Sequence, residues 1–179
     1  MFVENNAAKY GLISFLCCNK RSDEVMELDR IDKNILRELQ NNGRISNVEL
    51  AKCVGLSPTP CLERVKRLER SGVIRQYTAL LDPTAVNASL LVYVEIKLHR
   101  SSADVFDRFN QAAQQLDTIL ECHLVSGDFD YLLKTRVSDM STYRGVLNET
   151  LLSLPDIKDS RTYVVMEEVK YSTNLPISN

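Results

Sequence analysis

Apolar residues recur at Leu28, Ile31, Ile35 and Leu39 with polar residues between them, and Asn42-Gly43 follows. The spacing predicts an amphipathic helix and its stop. Ser46-Asn47-Val48-Glu49 then reads as a capping box, in which hydroxyl and carboxylate each satisfy a backbone N–H at a helix start, and this second helix runs to Val54 and stops at Gly55. Ser57-Pro58 supplies an N-cap and a proline at the first helical position, where its missing N–H costs nothing. The helix that follows reaches Ser71, with Gly72 as its terminator. At about 100° per residue, Cys61, Leu62, Val65 and Leu68 fall on one side of it, and Thr59, Glu63, Lys66, Arg67 and Arg70 on the other. Two short helices joined by the Gly55-Leu56 turn, behind a further helix, form the pattern of a helix-turn-helix from Ser46 to Gly72.

Beyond Gly72 the period shortens. Val73 to Leu81 predicts a short strand, and Asp82-Pro83 marks a turn. In Leu90 to Leu98, Val92, Val94, Ile96 and Leu98 alternate with Tyr93, Glu95 and Lys97, the mark of a strand with one buried face. Next come a helix near Asp104 to Leu116, a strand at Ile119 to Val125, the turn Ser126 to Asp130 and a strand at Tyr131 to Val137. A helix at about Met140 to Leu152, a break at Pro155 and a strand near Arg161 to Val169 complete a βαββαβ, ferredoxin-like order. Two helices cover only one face of a four-stranded sheet, so the other is expected to meet a partner subunit, with Tyr93, Tyr131, Leu133 and Tyr163 suited to it. The expected class is α+β: an N-terminal helix-turn-helix (winged-helix-like) domain followed by a ferredoxin-like domain.

Composition sharpens this division. The 179 residues carry a formal charge of −2, yet residues 28–80 hold ten Lys/Arg against six Asp/Glu, and residues 90–179 hold nine against thirteen. A cationic half suits phosphates; an anionic half suits self-assembly or a small ligand. The expected organisation is a poorly ordered leader at 1–27 with Met26 as a possible start, a DNA-binding domain at 28–80, a linker at 81–89, a sensing and oligomerisation domain at 90–170, and a tail at 171–179. Cys17, Cys18, Cys53, Cys61 and Cys122 show no paired metal spacing, which argues against a disulfide framework. Cys53 and Cys61 are expected to be small buried hydrophobes in a reducing cytoplasm. The apolar run Tyr10 to Cys18 falls well short of the ~20 residues that span a bilayer, so no membrane partner is expected.

The residues Leu28-Asp29-Arg30-Ile31-Asp32, Gly43 to Ala51, Gly55-Leu56-Ser57-Pro58-Thr59-Pro60-Cys61, Ser126 to Tyr131 and Thr162-Tyr163-Val164-Val165 closely resemble the Lrp/AsnC (feast/famine) family of bacterial regulators. The resemblance covers about residues 28–170 and leaves out both ends. It implies a cytoplasmic, nucleoid-associated transcription regulator, activator and repressor of amino-acid metabolism genes. It also implies a dimer that assembles into higher oligomers, and an amino-acid effector, leucine or a relative, with no cofactor and no metal.

For DNA, the first turns of the third helix lie deepest in a major groove, so Thr59, Pro60, Glu63 and Arg64, with Ser57 at their head, are the candidates for base edges. Ser46, Asn47, Lys66, Arg67 and Arg70 are candidates for phosphates. The turn Gly127-Asp128-Phe129-Asp130 is open to two readings. From the residues alone it suits first an acidic hairpin turn, and second an amino-acid ligand, which needs an anion for its ammonium and N–H groups for its carboxylate. The resemblance favours the ligand and carries over Gly127, Asp128, Asp130, Met140, Tyr163, Val164 and Val165 as effector residues, near the contact between dimers.

Two rival classes remain. An enzyme with a regulatory module finds little support, because only His99 and His123 are present, no nucleophile signature or phosphate-binding glycine loop appears, and Asp128 with Asp130 is a weak metal or acid/base pair. His123, in a predicted strand, is expected to be structural. An architectural DNA-wrapping protein without effector differs only in the second domain. If Arg67 contacts a phosphate, Arg67→Ala weakens all DNA sites alike and flattens the salt dependence by about one unit of slope; a change confined to sequence preference in a salt-titrated gel shift would exclude that role.

Overall fold

The computed structural model describes residues 27–178, with the side chain of Leu151 excepted. The leader through Met26, with its possible start and Cys17 and Cys18, lies outside the described residues. The chain forms two compact units, one of residues 27–80 together with 170–178, the other of residues 81–169.

The first unit holds α1 (Arg30–Asn41), α2 (Asn47–Val54) and α3 (Pro58–Arg70). Each has a reason to begin where it does. Asp29 caps α1 by accepting from Asp32 N, and Asp32 returns the bond to the Asp29 amide. Ser46 and Glu49 form the reciprocal cap of α2. Ser57 occupies the N-cap of α3 without a side-chain hydrogen bond, and Pro58 takes the first helical position. Gly55 ends α2 at φ 71°, a left-handed conformation that glycine adopts at least cost. The apolar stripes converge on a core of Ile35, Leu50, Ala51, Cys61 and Leu68, flanked by Leu28, Ile31, Leu39, Val54 and Val65.

The second unit holds β1 (Leu90–Leu98), α4 (Ala103–Gln114), β2 (Glu121–Leu124), β3 (Tyr131–Val137), α5 (Met140–Ser153) and β4 (Ile157–Val164). The sheet order is β2-β3-β1-β4, antiparallel throughout. Val92, Val94, Ile96 and Leu98 of β1 and Tyr131, Leu133 and Val137 of β3 are buried with Val105, Phe106, Phe109 and Ala113 of α4 and Tyr143 of α5. The Phe109 ring stacks on Tyr131 at 4.1 Å, and the Tyr131 hydroxyl donates to Asn110 Oδ1 at 2.9 Å, which satisfies its one polar atom.

Several sequence expectations are corrected. Tyr131 and Leu133 face the helices, not a partner, because Tyr131 pairs with Ile96 and Leu133 with Val94, both buried; Tyr93 and Tyr163 do stand on the opposite face. The last strand is Ile157–Val164 and not Arg161 to Val169, since its ladder with β1 starts at Leu98↔Ile157, directly after the Pro155-Asp156 turn. Val73 to Leu81 forms no strand, as no ladder partner stands beside it among the described residues. Cys53 is exposed while Cys61 is buried, and Leu62 retains 39% of its surface, because three helices enclose a narrower stripe than the wheel outlines.

Phe109→Ala removes the ring that α4 sets against the sheet. It is expected to cost about 3–4 kcal/mol in urea unfolding, and a loss under about 1 kcal/mol would place the ring outside the core.

Candidate nucleic-acid interface and effector region

Helix α3 is held from behind by a buried carboxylate. Asp32 is fully buried, and its two oxygens are shared between Arg64 Nη1 at 2.9 Å and Arg67 Nη2 at 2.6 Å. Arg64 Nη1 also lies 2.6 Å from Asp29 Oδ2. The Asp32 amide and the Arg64 guanidinium hold the Asp29 carboxyl below its ordinary range, and the two carboxylates raise the Arg64 pKa in turn. Asp29 and Asp32, which cap α1, thereby fix the helix 35 residues further along. The Asp-x-x-Asp spacing signals a cap; its second role depends on α3 packing across it.

This changes the standing of two candidates. Arg64 and Arg67 are each committed to an internal ion pair, although 27% and 49% of their side-chain surfaces stay exposed. Asn47 is tied to the first turn of α3 through Nδ2–H donation to Pro58 O at 2.8 Å. The Ser46 hydroxyl is engaged with Glu49 at 2.8 Å, and Ser46 holds that carboxyl below its usual range. Ser57, Thr59, Pro60, Glu63, Lys66 and Arg70 are exposed, and Arg70 Nε folds back onto Lys66 O at 3.2 Å. Thr59, Glu63, Lys66 and Arg70 share one stripe at spacings of four, three and four. Arg44, two residues ahead of the α2 cap, is a further exposed cation of this unit, outside the pattern within α3.

The effector candidates fall into two groups. Gly127 and Asp128 are exposed in the β2–β3 turn, beside a cavity of about 180 Å³ lined by Glu95, Lys97, Asp128, Phe129, Asp159 and Arg161 among others. Asp130 is buried: its Oδ2 accepts from Leu98 N, its amide donates to Ile96 O and its carbonyl accepts from Val125 N, each at 2.9 Å. That carboxylate anchors the turn to the sheet. Met140, Tyr163 and Val164 are exposed at the other end of the sheet, where Tyr163 pairs with Tyr93 and Val165 N donates to Leu91 O. Three to seven residues of β1 separate the anchor points of the two groups, about 10–23 Å at strand rise. His123 is exposed on β2 with Nε2 3.2 Å from Glu121. Among the described residues no cluster of three or more His, Cys, Asp or Glu is placed to hold a metal, and no helix is long and apolar enough to cross a membrane.

Residues 28–75 match the family model of a winged helix-turn-helix DNA-binding module, and residues 91–175 match that of the Lrp/AsnC ligand binding domain. The chain belongs to the Lrp/AsnC family. It is 70% identical over 151 residues to the leucine-responsive regulatory proteins of Escherichia coli K12 and of Klebsiella pneumoniae, covering 84% of this chain and 92% of each relative. Among solved structures it resembles an AsnC family transcriptional regulator from Agrobacterium tumefaciens (TM-score 0.79, 38% identity, 83% of this chain and 96% of that one). It also resembles a Neisseria meningitidis transcriptional regulator in complex with L-Met (TM-score 0.78, 39% identity, 84% and 97%). This Lrp/AsnC member is therefore a DNA-binding transcription regulator of α+β class, with the helix-turn-helix ahead of the ligand-binding module.

Asp32→Ala is expected to lower the unfolding free energy of the helical unit by about 2 kcal/mol, since Arg64 and Arg67 regain water but lose their charged acceptor. Urea unfolding followed by circular dichroism measures it. Because the Asp29 carboxyl is shifted downward, its contribution is full above its ordinary value near 4 and is lost as pH falls through the lowered value. Acid titration of the parent should weaken the Asp29–Arg64 pair only in that range; weakening of that pair between pH 5 and 7 would assign the effect to another group.

Proposed function

We propose that this regulator binds operator DNA through α3 and acts as both activator and repressor of amino-acid metabolism genes, with leucine or a related amino acid as effector and no cofactor. The observation that carries this is 70% identity to leucine-responsive regulatory proteins across both units. Thr59, Pro60 and Glu63 face base edges, where threonine and proline carbons meet a thymine methyl and a glutamate accepts from cytosine. Lys66, Arg70, Arg44 and the exposed edges of Arg64 and Arg67 meet phosphates, with Ser57 and the α2 start at Ser46 and Asn47 beside the backbone. Asp29 and Asp32 orient α3 without touching DNA. The domain limits are 28–80 for the DNA-binding unit and 90–170 for the sensor, joined by 81–89.

In the sensor unit Asp128 is the partner of the ligand ammonium, Gly127 leaves backbone room for its carboxylate, and Asp130 holds the turn in place. The separation of the Gly127–Asp130 turn from Met140 and Tyr163–Val165 supports a site completed between subunits, one contributing the turn and its neighbour the other group. Effector binding then shifts the balance of homo-oligomeric assemblies, and with it the number of DNA sites gripped at once. The site of action is the cytoplasm, at the nucleoid.

Calorimetry with leucine tests the reading directly. Asp128→Ala is expected to weaken leucine about tenfold, the loss of one charge-assisted bond, and native mass spectrometry should show leucine altering the parent's assembly. A parent that neither binds leucine nor changes mass with it would leave an architectural DNA binder as the better description.

A further inference from the structure

The last residues of the chain group with the DNA-binding unit, although they follow the sensor unit in sequence. Four hydrogen bonds join them to the end of α1. Asn174 Nδ2 donates to Asn41 Oδ1 at 3.0 Å. The Leu175 amide donates to Gln40 Oε1 at 2.6 Å, and Gln40 Nε2 donates back to Leu175 O at 3.2 Å. Arg37 Nη2 donates to Ile177 O at 2.9 Å, while its Nη1 is held by Asn34 Oδ1 at 2.7 Å. The Gln40 amide thus pairs with the Leu175 main chain as a neighbouring strand would.

Asn174, Leu175 and Ile177 of the tail form one wall of a groove of about 710 Å³ whose apolar lining includes Leu36, Leu39, Ile74 and Tyr77, and Ile177 is half-buried. After Lys170 the tail carries no charged side chain, so it suits main-chain pairing and apolar contact better than attraction to phosphate.

Helix α1 is therefore gripped at both ends. Its first turn holds α3 through Asp32, Arg64 and Arg67, and its C-terminal half holds the tail through Arg37, Gln40 and Asn41. The tail is continuous with β4, whose end carries Tyr163 and Val164 with Val165 next to it, and Glu168 on the way is pinned to Arg136 of β3 at 2.7 Å. The DNA-binding unit is thus tethered to the sensor unit twice, at the linker after Leu80 and again through the tail.

We infer that residues 174–177 are a strap that docks on α1 of their own chain and carries the effector signal to the DNA reader. The docking stands alone; the signal rests on the effector reading given under Proposed function. Ligand contact at Tyr163–Val165 alters the pull on a segment ending at Gln40, and α1 passes the change to α3 through Asp32.

Two measurements on the full-length chain test this. With Cys17, Cys18 and Cys53 replaced by Ser, Asn41→Cys combined with Asn174→Cys should be joined by a short bismaleimide into a product that runs as one chain on a denaturing gel. A two-chain band means that the groove takes the tail of a second copy, and it overturns the intrachain strap, as does the absence of any link. In Gln40→Ala, leucine affinity by calorimetry and DNA affinity without leucine should stay within about threefold of the parent, while the change in DNA affinity that leucine produces shrinks at least about threefold. An undiminished leucine effect overturns the coupling. A parent that binds no leucine sinks the effector reading and the coupling with it, whereas the cross-link judges the strap independently.

Discussion

A single buried carboxylate determines how this protein presents its DNA-reading helix. Asp32 has no exposed surface, and two guanidinium groups of α3 complete its shell. Burying a carboxylate is costly unless it is paired and hydrogen-bonded, and Asp32 meets both conditions only with α3 in one position. The angle of the reader is therefore set by an interaction whose failure leaves a charge stranded, a sharper constraint than apolar packing, which tolerates sliding. The same ion pairs hold part of the basic surface in reserve, since Arg64 and Arg67 serve the scaffold first and any phosphate second.

The sensor unit obeys a different constraint. Alternation along β1 and β3 assigns one face of the sheet to α4 and α5, and the Phe109–Tyr131 stack closes that layer. Tyr93, Glu95, Lys97, Leu132, Lys134, Arg161 and Tyr163 stand on the other face, which two helices cannot reach. The register places the turn ending in Asp130 beside Leu98 of β1, and Tyr163 opposite Tyr93.

Much of this was legible in the chain. The Ser46–Glu49 box, the Gly55 terminator and Ser57-Pro58 located α2 and α3, because caps and breakers act within a few residues of themselves. Alternation located β1 for the same reason. The assignment of Tyr131 and Leu133 to the outer face failed although their parity with Val137 was available, since which parity points inward depends on the register with β1. The limits of β4 were displaced because a strand ends where its partner ends, and the apolar run through Val169 says nothing of that.

Local chemistry, then, was determined by sequence alone: helix starts and stops, strand period, the division into a cationic reader and an anionic sensor, and the family motifs. Tertiary structure decided which charges are available. Asp32 and Asp130 look like surface acids in the sequence and are buried anchors in the fold; Asn47, Arg64 and Arg67 look like DNA contacts and are bound first to other parts of the protein. The tail looks like an appendage and lies hydrogen-bonded along α1. The physical reason is common to all of them: hydrogen bonds and ion pairs act over a few ångströms in space, and partners 35 or 135 residues apart become neighbours only once the core has formed.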